Sequence, residues 1–151
     1  MRELQSGVWH WTATHPDWKP GQEWGPEVSS YAIDDGEQLL LLDPLDPPSG
    51  IDELAAERET AIVLTCPWHA RDAQTLAERL GVALYVPPPD EGDPNPVEGQ
   101  MFRAGDRLQV GVEAFPGMEP NDLVLWIEGS RALVAGDTLI ARGNGLEFPT
   151  D

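Results

Sequence analysis

The chemistry-bearing residues of this chain crowd into one short stretch, "TCPWHARDA" at residues 65–73. Cys66, His69 and Asp72 recur there at three-residue spacing, and each carries a lone pair suited to a borderline-soft cation such as Zn²⁺. Asp137, delivered by "ALVAGDTL", joins them in a candidate ligand set of His69, Asp137, Asp72 and Cys66. A structural zinc site uses four N or S ligands, and the chain holds one cysteine and three histidines, so the set serves one zinc ion at most. The residues also have an ordinary structural reading. Cys66 then fills a small buried apolar space, His69 is a polar residue at a helix start, and Asp72 is an acid favoured by the helix dipole. A third reading makes Cys66 a thiolate nucleophile at a helix N-terminus with His69 as its base. Pro67 and Trp68 separate that pair, and no oxyanion hole is identifiable. His10 and His15 lie in a tryptophan-rich start, where stacking or a surface loop accounts for them.

These residues need elements to position them. "TAIVLTCPW" reads as a buried strand and "ARDAQTLAERLG" as a helix with Ala73, Leu76, Ala77 and Leu80 on one face, closed by Gly81. The stretch therefore sits at a strand-to-helix turn, where α/β proteins keep their chemistry. Upstream, "VWHWTA" alternates like an edge strand. "VSSYAID" and "EQLLLLD" form a hairpin across Asp35-Gly36, whose positive φ angles suit a type I′ turn. A short helix follows from Ser49 or Gly50 through "IDELAAERE", and "VALYVP" is a further strand. Three β segments close the chain: "DRLQVGVEAFPG", "DLVLWIEG" and "RALVAGDTLI". The order predicts a sheet with helices on one face packed against a second, antiparallel sheet, an α/β (α+β) class in one domain spanning residues 1–151. Residues 1–27 form a Trp/Pro-rich segment with four of the six tryptophans, and 87–99 an acidic, proline-rich loop.

Composition narrows the function. The 27 acidic against 9 basic residues give a formal net charge of −18. Nucleic acids and anionic membrane surfaces are attracted by clustered Lys and Arg, which this acidic protein lacks. Apolar runs such as Leu39–Leu42 fall far short of the roughly 20 residues of a bilayer span. "MRELQSGVWHW" has no apolar core of a signal peptide, so a cytoplasmic location is expected. A lone cysteine gives no sign of an oxidising compartment.

These phrases, in this order over residues 28–140, resemble the metallo-β-lactamase fold, a superfamily of hydrolases built as an αββα sandwich. "SSYAIDDGEQLLLLDPL" is similar to its opening hairpin, which ends in an aspartate, here Asp43. "VLTCPWHARDA" stands where the family carries Thr-His-x-His-x-Asp-His, "FPGM" where it carries a Pro-Gly-His turn, and "AGDTL" where it carries the aspartate that bridges two metals. Matching Thr65 to the family threonine puts Cys66, Trp68, Ala70 and Arg71 at the ligand positions. A one-residue shift puts His69 on the second histidine and Arg71 on the aspartate. Met118 takes the place of the turn histidine, and Asp137 keeps its family identity. Trp68, Arg71 and Met118 are thus expected to line the former metal pocket.

The resemblance implies a sandwich shortened at its C-terminus and a degenerate active site, with no catalytic residue assigned. The expected function is that of a binding or structural module without the dinuclear centre, cofactor-free or with one zinc ion. The alternative is a mono-metal hydrolase of a small ester or thioester using His69 and Asp137. A homo-oligomer or another partner is expected to cover the incomplete C-terminal sheet.

Overall fold

The computed structural model describes residues 1–142 and 145–149. A seven-stranded sheet runs in chain order: β1 (Arg2–Gln5), β2 (Val8–Thr14), β3 (Glu27–Asp34), β4 (Gln38–Leu42), β5 (Glu59–Val63), β6 (Ala83–Val86) and β7 (Gln100–Met101). β1 to β4 pair antiparallel, and β4 to β7 pair parallel. Helix α1 (Gly50–Glu57) crosses from β4 to β5, and α2 (Ala73–Leu80) from β5 to β6. A second, antiparallel sheet holds β8 (Val112–Pro116), β9 (Leu123–Ile127) and β10 (Ala132–Val134), with β9 central. A hairpin of β11 (Ile140–Arg142) and β12 (Gly145–Glu147) completes the described chain.

The leucine run explains the layering. Side chains alternate across a strand, so a run buried throughout must meet cover on both faces. Leu39 and Leu41 pack with Ile62, Leu64 and the helix residues Ile51 and Leu76. Leu40 and Leu42 face the other way, with Ala61 and Val63, against Val112, Leu123, Leu125 and Ile127 of the second sheet. Helices, first sheet and second sheet therefore form three stacked layers with two cores. Among the described residues no helix covers the outer face of the second sheet, where Phe115 and Leu133 are exposed. This is the α/β/β part of an αββα sandwich.

Most expected elements appear, with corrections at their margins. "VWHWTA" is an inner strand, because β1 flanks it and the indole N–H of Trp11 donates to the Leu45 carbonyl 2.8 Å away inside the core. The β3–β4 turn places positive φ on Gly36 alone, and the Asp35 carboxylate receives the N–H groups of Glu37 and Gln38. The type I′ expectation fails because a side-chain acceptor organises this turn. β5 ends at Val63, and Pro67–His69 coil into one 3₁₀ turn that begins on a proline, where the missing N–H has no helical partner to lose. α2 ends as expected on Gly81, with φ of 68° and its N–H bonded to the Ala77 carbonyl.

A leucine in the core and one on the uncovered face differ in what they hold. Leu41→Ala, at a position with no exposure, should cost about 2–5 kcal/mol in urea unfolding. Leu133→Ala, on the uncovered face, should stay within about 0.5 kcal/mol of wild type.

Candidate functional site

The site forms at the carboxyl ends of the parallel strands β4 and β5. β4 ends in Asp43, whose φ of 46° is left-handed, a conformation that aspartate tolerates better than most residues. The turn aims its buried carboxylate across to the β5 exit. There Oδ1 accepts the Thr65 N–H at 2.8 Å, and Oδ2 accepts the Thr65 hydroxyl at 2.6 Å. The same Oδ2 lies 3.0 Å from His69 Nδ1. The Asp43 carbonyl is held as well, by the Ser30 hydroxyl and by Arg71 Nη1, each at 2.7 Å.

His69 faces a second carboxylate: its Nε2 is 3.3 Å from Oδ1 of Asp137. Trp68 donates its indole N–H to the other oxygen of Asp137 at 2.8 Å. An imidazole between two carboxylates donates from both nitrogens, which makes it an imidazolium. Burial opposes that charge, but the charge of Asp43 and the hydrogen bonds to Asp137, Asp43 and Cys66 outweigh it and push His69 up to about 12. Burial likewise pushes Asp43 and Asp137 upward. His69 and Arg71 overcome it in both, with Thr65 also helping Asp43 and Trp68 helping Asp137, and hold both carboxyls below their ordinary range. Arg71, at φ 38°, reaches the carbonyls of Ser29 and Asp43 through one nitrogen, while its buried Nε has no partner among the described residues.

The second sheet supplies the opposite wall. The Leu123 N–H donates to the Thr65 carbonyl at 2.8 Å and ties the two sheets at this end. Beside it, Asp122 accepts the Thr138 hydroxyl at 2.5 Å and the Asp137 N–H at 3.3 Å, so it carries the turn that presents Asp137. Burial raises Asp122 despite the opposing bonds from Thr138 and Asp137. Gly136 packs so closely that a Cβ would strike the Asp122 carboxylate and the Thr65 hydroxyl. That contact, together with its positive φ, is why a Gly-Asp pair stands here.

The structure brings three of the four expected ligands together. Cys66, His69 and Asp137 offer donor atoms within 4.8 Å of one another, a group that could hold a metal ion. Asp72 stands apart, because its Oδ2 accepts the Asp46 N–H at 2.7 Å and it serves as the residue before α2. Cys66 is fully buried, and burial pushes its thiol up to about 11 although His69 pulls the other way, so it is no thiolate near neutral pH. Trp68 and Arg71 line a cleft of about 1060 Å³ over the site, with His69, Asp137 and Asp43 at its floor. Met118 is not among the residues lining it: the Pro116-Gly117 turn leaves its side chain half-exposed and directs its N–H to the Thr138 hydroxyl. Asp43 and Asp122 entered no expected ligand set. The signal for Asp43 was a carboxylate ending a run of four buried leucines; Asp122, in an ordinary turn, had none.

No protein-family model and no curated protein matches this sequence. Solved structures do. TTHA1623, solved in a di-iron-bound form, is 24% identical, with a TM-score of 0.58 over 89% of this chain and 74% of its own. The metallo-β-lactamase DIM-1, exposed to ceftazidime, superposes with a TM-score of 0.64 at 14% identity, over 93% of this chain and 70% of its own. The chain has the metallo-β-lactamase fold. ETHE1 from Myxococcus xanthus shares it at 20% identity and a TM-score of 0.53, over 78% of this chain and 55% of its own. This chain spans about 70% of the length of these lactamases. Among the described residues no helix is long and apolar enough to cross a membrane.

Two measurements test the ion-pair chain. Asp43→Asn should cost about 3–5 kcal/mol in urea unfolding, because it strands a buried cation. Asp137→Asn should cost about 1 kcal/mol or less, because its side chain is 52% exposed. The pH profile follows from the signs. His69 is raised from 6.5, so its contribution is full below that value and fades as pH climbs towards 12. Asp43 and Asp137 are held below 3.8, so theirs is full above that value and fades on acidification. The stability gap between wild type and His69→Gln should therefore be widest between about pH 4 and 6.5. A gap that stays flat from acid to alkali would contradict the assignment.

Proposed function

We propose that this protein is a binding module that works without the two-metal centre of its fold. The observation that carries the reading is the internal charge balance of the site. His69 and Arg71 offset Asp43 and Asp137, so the carboxylates that would draw cations are already matched by cations of the chain. The donor set points the same way. Of the positions the resemblance assigns to ligands, Ala70 has no donor, the Trp68 indole only donates a hydrogen bond, and Arg71 brings a positive charge. A pair of metal ions needs about six or seven protein ligands, and these residues do not fit that need. What remains is an open cleft over a rigid floor, the form of a ligand-binding site.

A second reading rests on the convergence of Cys66, His69 and Asp137. One zinc ion held there would act as a Lewis acid on a small ester or thioester. For that, His69 must release a proton and Cys66 must ionise inside the core.

Elemental analysis of the purified protein separates the two. The binding module should carry no stoichiometric metal, and its melting temperature should not move with a chelator. Two tightly held zinc or iron ions per chain would sink it. The hydrolase reading instead requires zinc-dependent ester turnover that disappears in both His69→Ala and Asp137→Ala.

A further inference from the structure

One tryptophan of the N-terminal segment, left without a role by the sequence, reappears on the cleft. Trp24 and Tyr31 line it from one side and Trp68 from the floor. Each of these residues has a contact of its own. The His15 ring meets Trp24 edge-on at 5.3 Å, and the Trp24 carbonyl accepts the indole N–H of Trp18 at 2.8 Å. His10 packs against Tyr31 at 5.0 Å, and Asp137 fixes Trp68 by its indole N–H. Both cleft tryptophans keep more than a third of their surface exposed despite this anchoring. Glu23, Glu27 and Asp137 line the same cleft.

We infer that this cleft binds an organic cation with an apolar body, a substituted ammonium. The inference rests on the metal-free reading above and names the ligand class of the same site. Four carboxylates line the cleft, Glu23, Glu27, Asp43 and Asp137, against two cations. The two cations are largely engaged: both nitrogens of His69 face carboxylates, Arg71 Nη1 is spent on backbone carbonyls and Arg71 Nε is shut away from solvent, which leaves Arg71 Nη2 as the donor an anionic probe would use. The ring faces remain, and an aromatic face attracts a cation through its quadrupole, most strongly for tryptophan. The net charge of −18 adds long-range steering towards the same class of ligand. At about 1060 Å³, the cleft has room for an apolar body beside the ammonium head, against Leu133.

Isothermal titration of the metal-free protein tests this with three probes: hexyltrimethylammonium, hexanoate and the uncharged 3,3-dimethyl-1-butanol. The ammonium should bind saturably, and about tenfold or more tighter than either of the others. Trp68→Leu should weaken it by about tenfold, and Glu23→Gln by less, since Glu23 is exposed. Trp68→Phe should retain much of the binding. Circular dichroism verifies that these surface variants fold. Hexanoate binding as tightly as the ammonium would overturn the proposal, and so would equal affinity for all three probes. Ammonium binding unchanged in both Trp68→Leu and Trp24→Leu would also overturn it, since attraction to the acidic surface would then be the whole effect. Failure here in a protein shown to be metal-free leaves the module reading standing, whereas tightly bound metal removes that reading first.

Discussion

The buried carboxylate of Asp43 is the interaction on which the site end of the molecule depends. It stands where β4 stops and takes three hydrogen bonds from the stretch that leaves β5: one from backbone, one from a hydroxyl and one from an imidazole. A carboxylate so placed is costly to bury unless each lone pair is used. Here the donors all come from the turn that the carboxylate orders, so satisfying the charge and shaping the loop are one event. Thr65 then extends the order outward, because its carbonyl receives the Leu123 N–H and so joins the first sheet to the second.

His69 carries that order to the surface. One nitrogen is held by the buried Asp43 and the other by the half-exposed Asp137, so the ring spans the two layers of the sandwich. Asp137 in turn fixes Trp68, and Asp122 fixes the turn bearing Asp137. The result is a floor of alternating charge, rigid because every member is claimed by two neighbours. TTHA1623, which shares the fold, was solved with two irons bound. The scaffold fixes where side chains meet, and the side chains decide what they hold.

Much of this was legible in the residues. The Leu39–Leu42 run, the β3–β4 hairpin, the capped helix ending at Gly81 and the final meander are governed by local rules of period and capping, and they appear in the structure, though the hairpin turns on the Asp35 side chain and not as type I′. The three-layer stacking followed from them, since a strand apolar on both faces demands two covers. The site was legible only in part. His69, Cys66 and Asp137 were visible as ligand types, but the grip of Asp43 on Thr65 and His69 depends on contacts 22 and 26 residues apart, and the pairing of His69 with Asp137 on a longer one, all set by strand order. Asp72 misled because an acid before a helix looks the same whether it binds an ion or a backbone amide. The inner position of "VWHWTA" was hidden because the alternation of a strand says nothing about how many neighbours it has.

The grip of Arg71 bears on the history such a site permits. Its guanidinium is fastened to the main-chain oxygens of Ser29 and Asp43, and those oxygens persist whatever side chains surround them. Substitutions elsewhere on the floor therefore leave its charge where it is. A histidine at position 66 or 68 would meet a cation already seated. The order of change is thus constrained: Arg71 has to go before any new ligand is worth having, and its departure alone leaves two carboxylates undercompensated.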